Sequence, residues 1–200
     1  MSTTSSTGYW RAAAAEIRSL RKLVFAALIV ALCLAIKSLR VPVGENLNIY
    51  FTFLPRAFGA AIYGPIMGLL VGAVGDTLGY LMDPFGPYFP GYLLSEMAGN
   101  FIFGLVLYRR RITIVRLIAA RGIINYGVNV AMGSLWSQIL YGKGYLYYLV
   151  KSLVKNTLLL PVESVLLVLL FGLTLRHLEH AGMIPPRSEK DHKWRFLPPV

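Results

Sequence analysis

The sequence predicts an all-α integral membrane protein built as a bundle of six transmembrane helices, and three observations lead there. Apolar runs long enough to cross a bilayer, about 20 residues each, follow one another along most of the chain. Hydrophobic residues make up 56% of the 200 and charged ones 14%, with a mean hydropathy of +0.59; soluble domains carry about 45–50% apolar residues. The basic residues behind the net charge of +11 stand in short clusters beside the apolar runs, which is how a bilayer orients helices. No nucleic-acid reading motif accompanies that charge, so a nucleic-acid partner is not expected.

Taken in order, the first span reads from about Ser19 to Ser38, after a basic lead of Arg11, Arg18, Arg21 and Lys22. The preceding Met1 to Trp10 segment is polar, and no cleavable leader is expected from it. A connection through Val41, Pro42 and Gly44 leads to a shorter second span, about Leu47 to Tyr63, broken at Gly64-Pro65, where proline cannot continue the hydrogen-bond ladder. The third span reaches about Met82. Three prolines and two glycines between Asp83 and Gly91 then forbid regular helix and predict a stiff aromatic loop. A fourth span, about Tyr92 to Tyr108, closes on Arg109-Arg110-Arg111. The fifth runs from about Ile112 to Leu140, and after a Gly- and Tyr-rich turn the sixth continues to about Leu175. The charged tail from Arg176 reads as loosely ordered. The expected organisation is a polar segment over residues 1–18, a transmembrane domain over 19–175 and a tail over 176–200. The N-terminal lead, the Arg109 to Arg116 connection and the tail hold four, four and five Lys/Arg, so the positive-inside rule puts both termini in the cytoplasm, with the spans in the cell membrane.

Ionisable groups inside such spans are costly unless paired or hydrated, which makes each a functional candidate. Lys37, Arg40, Asp76, Lys151 and Lys155 fall at the outer level and form the expected polar wall of an outward-facing cavity. Glu163 is read as neutralising Arg56 or Arg121 in a structural ion pair. Tyr80, Phe85, Tyr88, Phe89, Trp136, Tyr145, Tyr147 and Tyr148 gather at the same outer level, some as interfacial anchors and some, Tyr80, Tyr88, Phe89 and Trp136 first, as stacking partners for a flat ring. The amides of Asn125, Asn129 and Asn156 complete a candidate site for a heteroaromatic solute with carboxylates. Gly64, Gly68, Gly72, Gly75 and Gly79 line one face of the third span for close helix packing, while Ala27, Ala31 and Ala35 make a smooth stripe suited to internal packing or to another membrane protein.

Enzymatic chemistry lacks its parts. His177, His180 and His192 all sit in the tail without a second ligand set, so neither a metal nor a cofactor is expected. No phosphate-binding Gly-x-x-x-x-Gly-Lys-Ser/Thr loop is present, and no nucleophile elbow. Cys33 reads as a small buried hydrophobe. Two transport classes remain open: a binding subunit energised by partners, or an ion-coupled secondary transporter with Asp76, Glu96 and Glu163 as coupling carboxylates.

The blocks Phe53-Leu54-Pro55, Gly64-Pro65-Ile66-Met67-Gly68, Gly72 to Gly79 and Gly86-Pro87-Tyr88-Phe89-Pro90-Gly91, continued by Leu140 to Lys143, Val154-Lys155-Asn156 and Leu160 to Glu163, resemble the folate-family substrate-binding (S) components of energy-coupling factor (ECF) vitamin transporters. The resemblance spans roughly Leu23 to Leu175. It implies a non-enzymatic subunit that takes folate, or a related vitamin or precursor, from outside and docks on a transmembrane coupling subunit with two ATPases. It also implies that Ala27, Ala31 and Ala35 contact the coupling subunit and that Lys37 meets a ligand carboxylate. Two departures stand out: Met132-Gly133-Ser134-Leu135-Trp136 lacks the family's amide, and Ser152 or Lys151 replaces an arginine.

Overall fold

The structure, a computed structural model, describes residues 6–37, 41–44, 47–84, 88–142 and 144–184. Arg40, Phe85, Lys143 and the tail beyond residue 184, His192 included, lie outside the described residues. Among the described residues the regular structure is helical apart from one antiparallel pair of strands. Helix α1 (Ser6–Ala15) passes through a 3-10 turn (Glu16–Arg18) into α2 (Leu20–Lys37). Strands β1 (Val41–Gly44) and β2 (Leu47–Ile49) pair antiparallel, Val41 opposite Ile49. There follow α3 (Phe53–Met82), α4 (Pro90–Leu107), α5 (Ile114–Ile123), a π-helical segment (Ile124–Met132), α6 (Gly133–Tyr141) and α7 (Tyr145–His180).

The helices α3, α5 to α6 and α7 are each long and apolar enough to cross a membrane, and α1 with α2 forms a further candidate, bent by 78°. Helix α3 holds two of the expected spans, because Gly64 breaks it with φ 83° and Pro65 follows. A side chain at Gly64 would be strained at that φ and would also strike the Tyr108 ring, so the break is built into sequence and packing alike. With α2, α4, the α5–α6 run and α7, the two halves of α3 give the six expected helical passes. The second pass starts later than the sequence suggested: Leu47–Ile49 belongs to the strand pair, where the nearby Pro42 and Gly44 favour a strand edge over a helix.

Other boundaries differ where packing adds support that hydropathy does not register. Residues 6–15, read as part of a polar lead, form a helix whose Trp10 stacks on Phe101 at 6.3 Å and whose Tyr9 meets Tyr108 edge-on. Glu16 then accepts a 2.5 Å hydrogen bond from Tyr108 and lies 2.6 Å from Lys22 Nζ, tying the start of α2 to the end of α4. Helix α7 does not stop at Leu175; it runs to His180, turns at Gly182 and returns Ile184 to the core.

The core lies where α2, α3, α4, α5 and α7 meet, around Ala57, Tyr63, Met67, Leu107, Leu117, Leu167 and Phe171. Helices α3 and α4 approach closely in it: a Cβ at Gly72 would lie 2.7 Å from Met97 Cα and 2.8 Å from the Glu96 carbonyl. Both obstacles are backbone, so neither rotates away. Gly72→Val is therefore expected to destabilise the protein by about 1–3 kcal/mol or more, read as a lower melting temperature in detergent, whereas Gly75→Ala, with open space around it, should leave melting unchanged.

Candidate functional site

A cavity of about 420 Å³ opens between α3, α4, the π-helical segment and α7, within the range of small-molecule sites. Its walls follow helical periodicity. On α4 the lining residues Tyr92, Ser95, Glu96, Gly99, Asn100 and Phe103 fall on one face, and on α7 Ser152, Lys155, Asn156, Leu159 and Glu163 do the same. From the start of α3 come Thr52, Phe53 and Arg56, and from the end of α2 comes Lys37.

Two ion pairs organise the floor. The Arg121 guanidinium binds Glu163 in a fork, Nε to Oε2 at 2.9 Å and Nη2 to Oε1 at 2.5 Å, and its face lies 4.4 Å from the Phe53 ring centroid. Asn125 Nδ2 also donates to Glu163 Oε2 at 2.7 Å. Arg56 pairs with Glu96 instead, so of the two partners the sequence allowed for Glu163 the structure selects Arg121. Each carboxylate on the cavity wall thus has its cation, as burial requires.

A chain of amides climbs from that floor. Asn129 Nδ2 donates to Asn125 Oδ1 at 3.0 Å and lies 3.5 Å from Asn156 Oδ1, while Asn156 Nδ2 donates to the Ser152 carbonyl at 2.8 Å. Asn125 and Asn129 sit on the π-helical segment, whose wider turn joins α5 to α6 without a break. Such segments concentrate at functional sites.

Of the residues expected to form the site, Lys37, Asn129, Lys155 and Asn156 line the cavity. Lys37 Nζ donates to the Gly79 carbonyl at 3.0 Å. Lys155 makes no hydrogen bond or ion pair among the described residues. Asn125 is fully buried and stands behind the wall, bonded to Glu163 and Asn129. Trp136 is also one layer back: its Nε1 donates to Ser95 Oγ at 2.9 Å, and Ser95 faces the cavity. Asp76, Tyr80, Tyr88, Phe89 and Lys151 are not on the cavity wall. Tyr80 packs edge-on against Tyr88, Phe89 against Tyr92 and Trp136, and Lys151 is exposed. The aromatic rings that do face the cavity are Tyr50, Phe53, Tyr92 and Phe103. A polar stripe at Tyr92, Ser95, Glu96 and Asn100 is the signal that would have found the α4 wall, since such spacing has no place on a lipid-facing helix.

Ala27, Ala31 and Ala35 all lie on the exposed side of α2, opposite the buried Ala26, Ile29, Val30 and Cys33. The alanine stripe therefore does not pack inside the bundle.

Comparison with known proteins places this architecture. The family profile described as the ECF-type riboflavin transporter, S component, matches residues 17–175. The chain belongs to the ECF-type S components. Among its relatives, the folate transporter FolT of Clostridium novyi (strain NT) is 35% identical over 130 residues, covering 65% of this chain and 74% of that protein. The folate transporter FolT of Leuconostoc mesenteroides is 25% identical over 150 residues, 72% of this chain and 80% of that one. The crystal structure of FolT bound with folic acid aligns with a TM-score of 0.66 at 25% identity, over 73% of this chain and 88% of that one. This S component is accordingly a membrane-embedded transport subunit and not an enzyme.

Proposed function

We propose that this S component captures folate from outside the cell and passes it through a shared energising module. The observation that carries the ligand is the charge of the cavity. Lys37, Arg56, Arg121 and Lys155 face Glu96 and Glu163, an excess of two positive charges among the lining residues, with Asp76 off the wall and within electrostatic reach of Lys37 and Arg56. Folate brings two carboxylates on its glutamate tail. Riboflavin, the vitamin in the family's description, has no ionised group to offset that excess, and isolated charge in the membrane interior is costly. The names of the relatives point the same way.

Lys155 is the first partner for a tail carboxylate, because the other three cavity cations already hold a carboxylate or a carbonyl. Lys37 has two further N–H donors for the second carboxylate, with the exposed Lys151 as an outer cation; Arg40, outside the described residues, remains a candidate from the sequence. The half of the ligand that carries the fused ring lies toward Tyr92 and Phe103, and Asn129 and Asn156 supply amides between the two ends. Replacing Lys155 by Met is expected to weaken folate binding about 10- to 100-fold, the range for a charge-assisted contact; equilibrium titration of the purified variant reads it, and an unchanged affinity would remove Lys155 from the site.

For energy the protein depends on others: a transmembrane coupling subunit and two ATPase subunits, with Ala27, Ala31 and Ala35 as the contact for the coupling subunit. Residues 19–175 form the binding domain in the cell membrane, with both termini in the cytoplasm. Folate uptake by cells expressing this chain is expected only when the coupling subunit and both ATPases are present. Uptake by the chain alone, abolished by a protonophore, would instead establish ion coupling through Asp76, Glu96 and Glu163.

A further inference from the structure

We infer that Glu96 reads the hydrogen-bond donor edge of the ligand's ring system, with Arg56 as the residue that positions its carboxylate; this rests on the folate reading above. A 2-amino-4-oxopteridine presents an amino N–H and a ring N–H side by side on one edge. A carboxylate matches that edge as it matches a guanidinium, by two parallel N–H to O bonds.

Two carboxylates line the cavity, and what each already holds narrows the choice. Of its two carboxylates, Glu163 is committed: Arg121 Nε, Arg121 Nη2 and Asn125 Nδ2 all donate to it, and its side chain is 7% exposed. Glu96 is held on one side only. Arg56 Nη1 meets its Oε2, the other oxygen takes no hydrogen bond among the described residues, and the side chain is 30% exposed, facing the cavity.

Asn100, one turn further along α4, reinforces the polarity of this wall. Its Nδ2 donates to the Glu96 carbonyl at 2.8 Å, which leaves Oδ1 buried with no donor among the described residues. Buried acceptors without partners are rare in folded proteins. Glu96 and Asn100 thus form a patch of unmet acceptors on one wall, facing lysines and arginines that can only donate. The tail carboxylates belong at Lys155 and Lys37; the donor edge belongs at Glu96, between the Tyr92 and Phe103 rings of the same helix face.

Two ligands separate this role from a merely structural one. Folate and 2-desamino-2-methylfolate share the tail and the ring outline but differ in the amino donor. Their affinities are to be measured on the wild-type protein, on Glu96→Gln and on the double variant Arg56→Gln/Glu96→Gln, which leaves no unpaired guanidinium. Wild type is expected to prefer folate about 10- to 100-fold, as a hydrogen bond to a charged group implies, and both variants should lose the preference while Lys155→Met keeps it. A preference retained without Glu96, or absent from wild type that binds folate, would overturn the assignment and leave the folate reading standing. Wild type that binds no folate would overturn that reading and this assignment with it.

Discussion

Glu163→Ala is expected to cost about 3–5 kcal/mol of stability, the usual penalty for removing one partner of a buried ion pair. The Arg121 guanidinium is 8% exposed and loses both of its carboxylate bonds. Asn125, buried completely, loses its acceptor in the same step. The arrangement joins α5 and the π-helical segment to α7, so the loss reaches the packing of three elements that wall the cavity. The measurement is thermal unfolding of the detergent-solubilised protein. A paired replacement, Arg121→Met with Glu163→Leu, removes the stranded charge and should recover most of the loss, since apolar substitutes for buried ion pairs are often neutral. Equal destabilisation in single and paired variants would show that the charges contribute little beyond volume.

Ala31→Trp is expected to abolish transport and spare binding. Ala31 lies midway in the exposed stripe of α2, on the side away from the core and the cavity. A smooth alanine face lets a partner helix approach closely, and an indole there holds it off. Uptake in cells that supply the energising subunits should fall by at least about tenfold, a loss of more than 1.4 kcal/mol in coupling, while folate affinity of the isolated variant stays at the wild-type value. Normal uptake would mean that another surface engages the partner; loss of binding together with uptake would mean that the indole disturbs the fold.

Much of the architecture was legible in the sequence because hydropathy and helix breakers act locally. The Gly64-Pro65 break, the small-residue face of α3 and the spans flanked by arginines all follow from chemistry within a few residues. The pairing of β1 with β2 and the helix over 6–15 were missed for the complementary reason. Their form depends on pairing between strands and on the stacking of Trp10 and Tyr9 against α4 and its C-terminal cap, which no window along the chain registers.

At the site, residue types were easier to read than directions. Lys37, Asn129, Lys155 and Asn156 were expected on the cavity and line it, whereas around the start of α4 Tyr88 and Phe89 were expected and Tyr92 faces inward. A rotation of one or two residues along a helix start separates those outcomes, and aromatic composition alone does not set it. The pairing of Arg56 with Glu96 joins α3 to α4 across the cavity floor, a distance in sequence that spacing cannot bridge. Departure from the regular helical repeat at Ile124–Met132 likewise decides where Asn125 and Asn129 point, and nothing in the local composition announces it.

The most direct test of the account is a titration of the purified chain, without partners, with folate and with riboflavin, following tryptophan fluorescence. Trp136 is bonded to Ser95 on the cavity wall and so reports on occupancy. Saturable quenching by folate, at one site per chain and weakened by Lys155→Met, with none by riboflavin, is the predicted result; saturation by riboflavin and indifference to folate would contradict the reading of the cavity as a site for a doubly anionic vitamin.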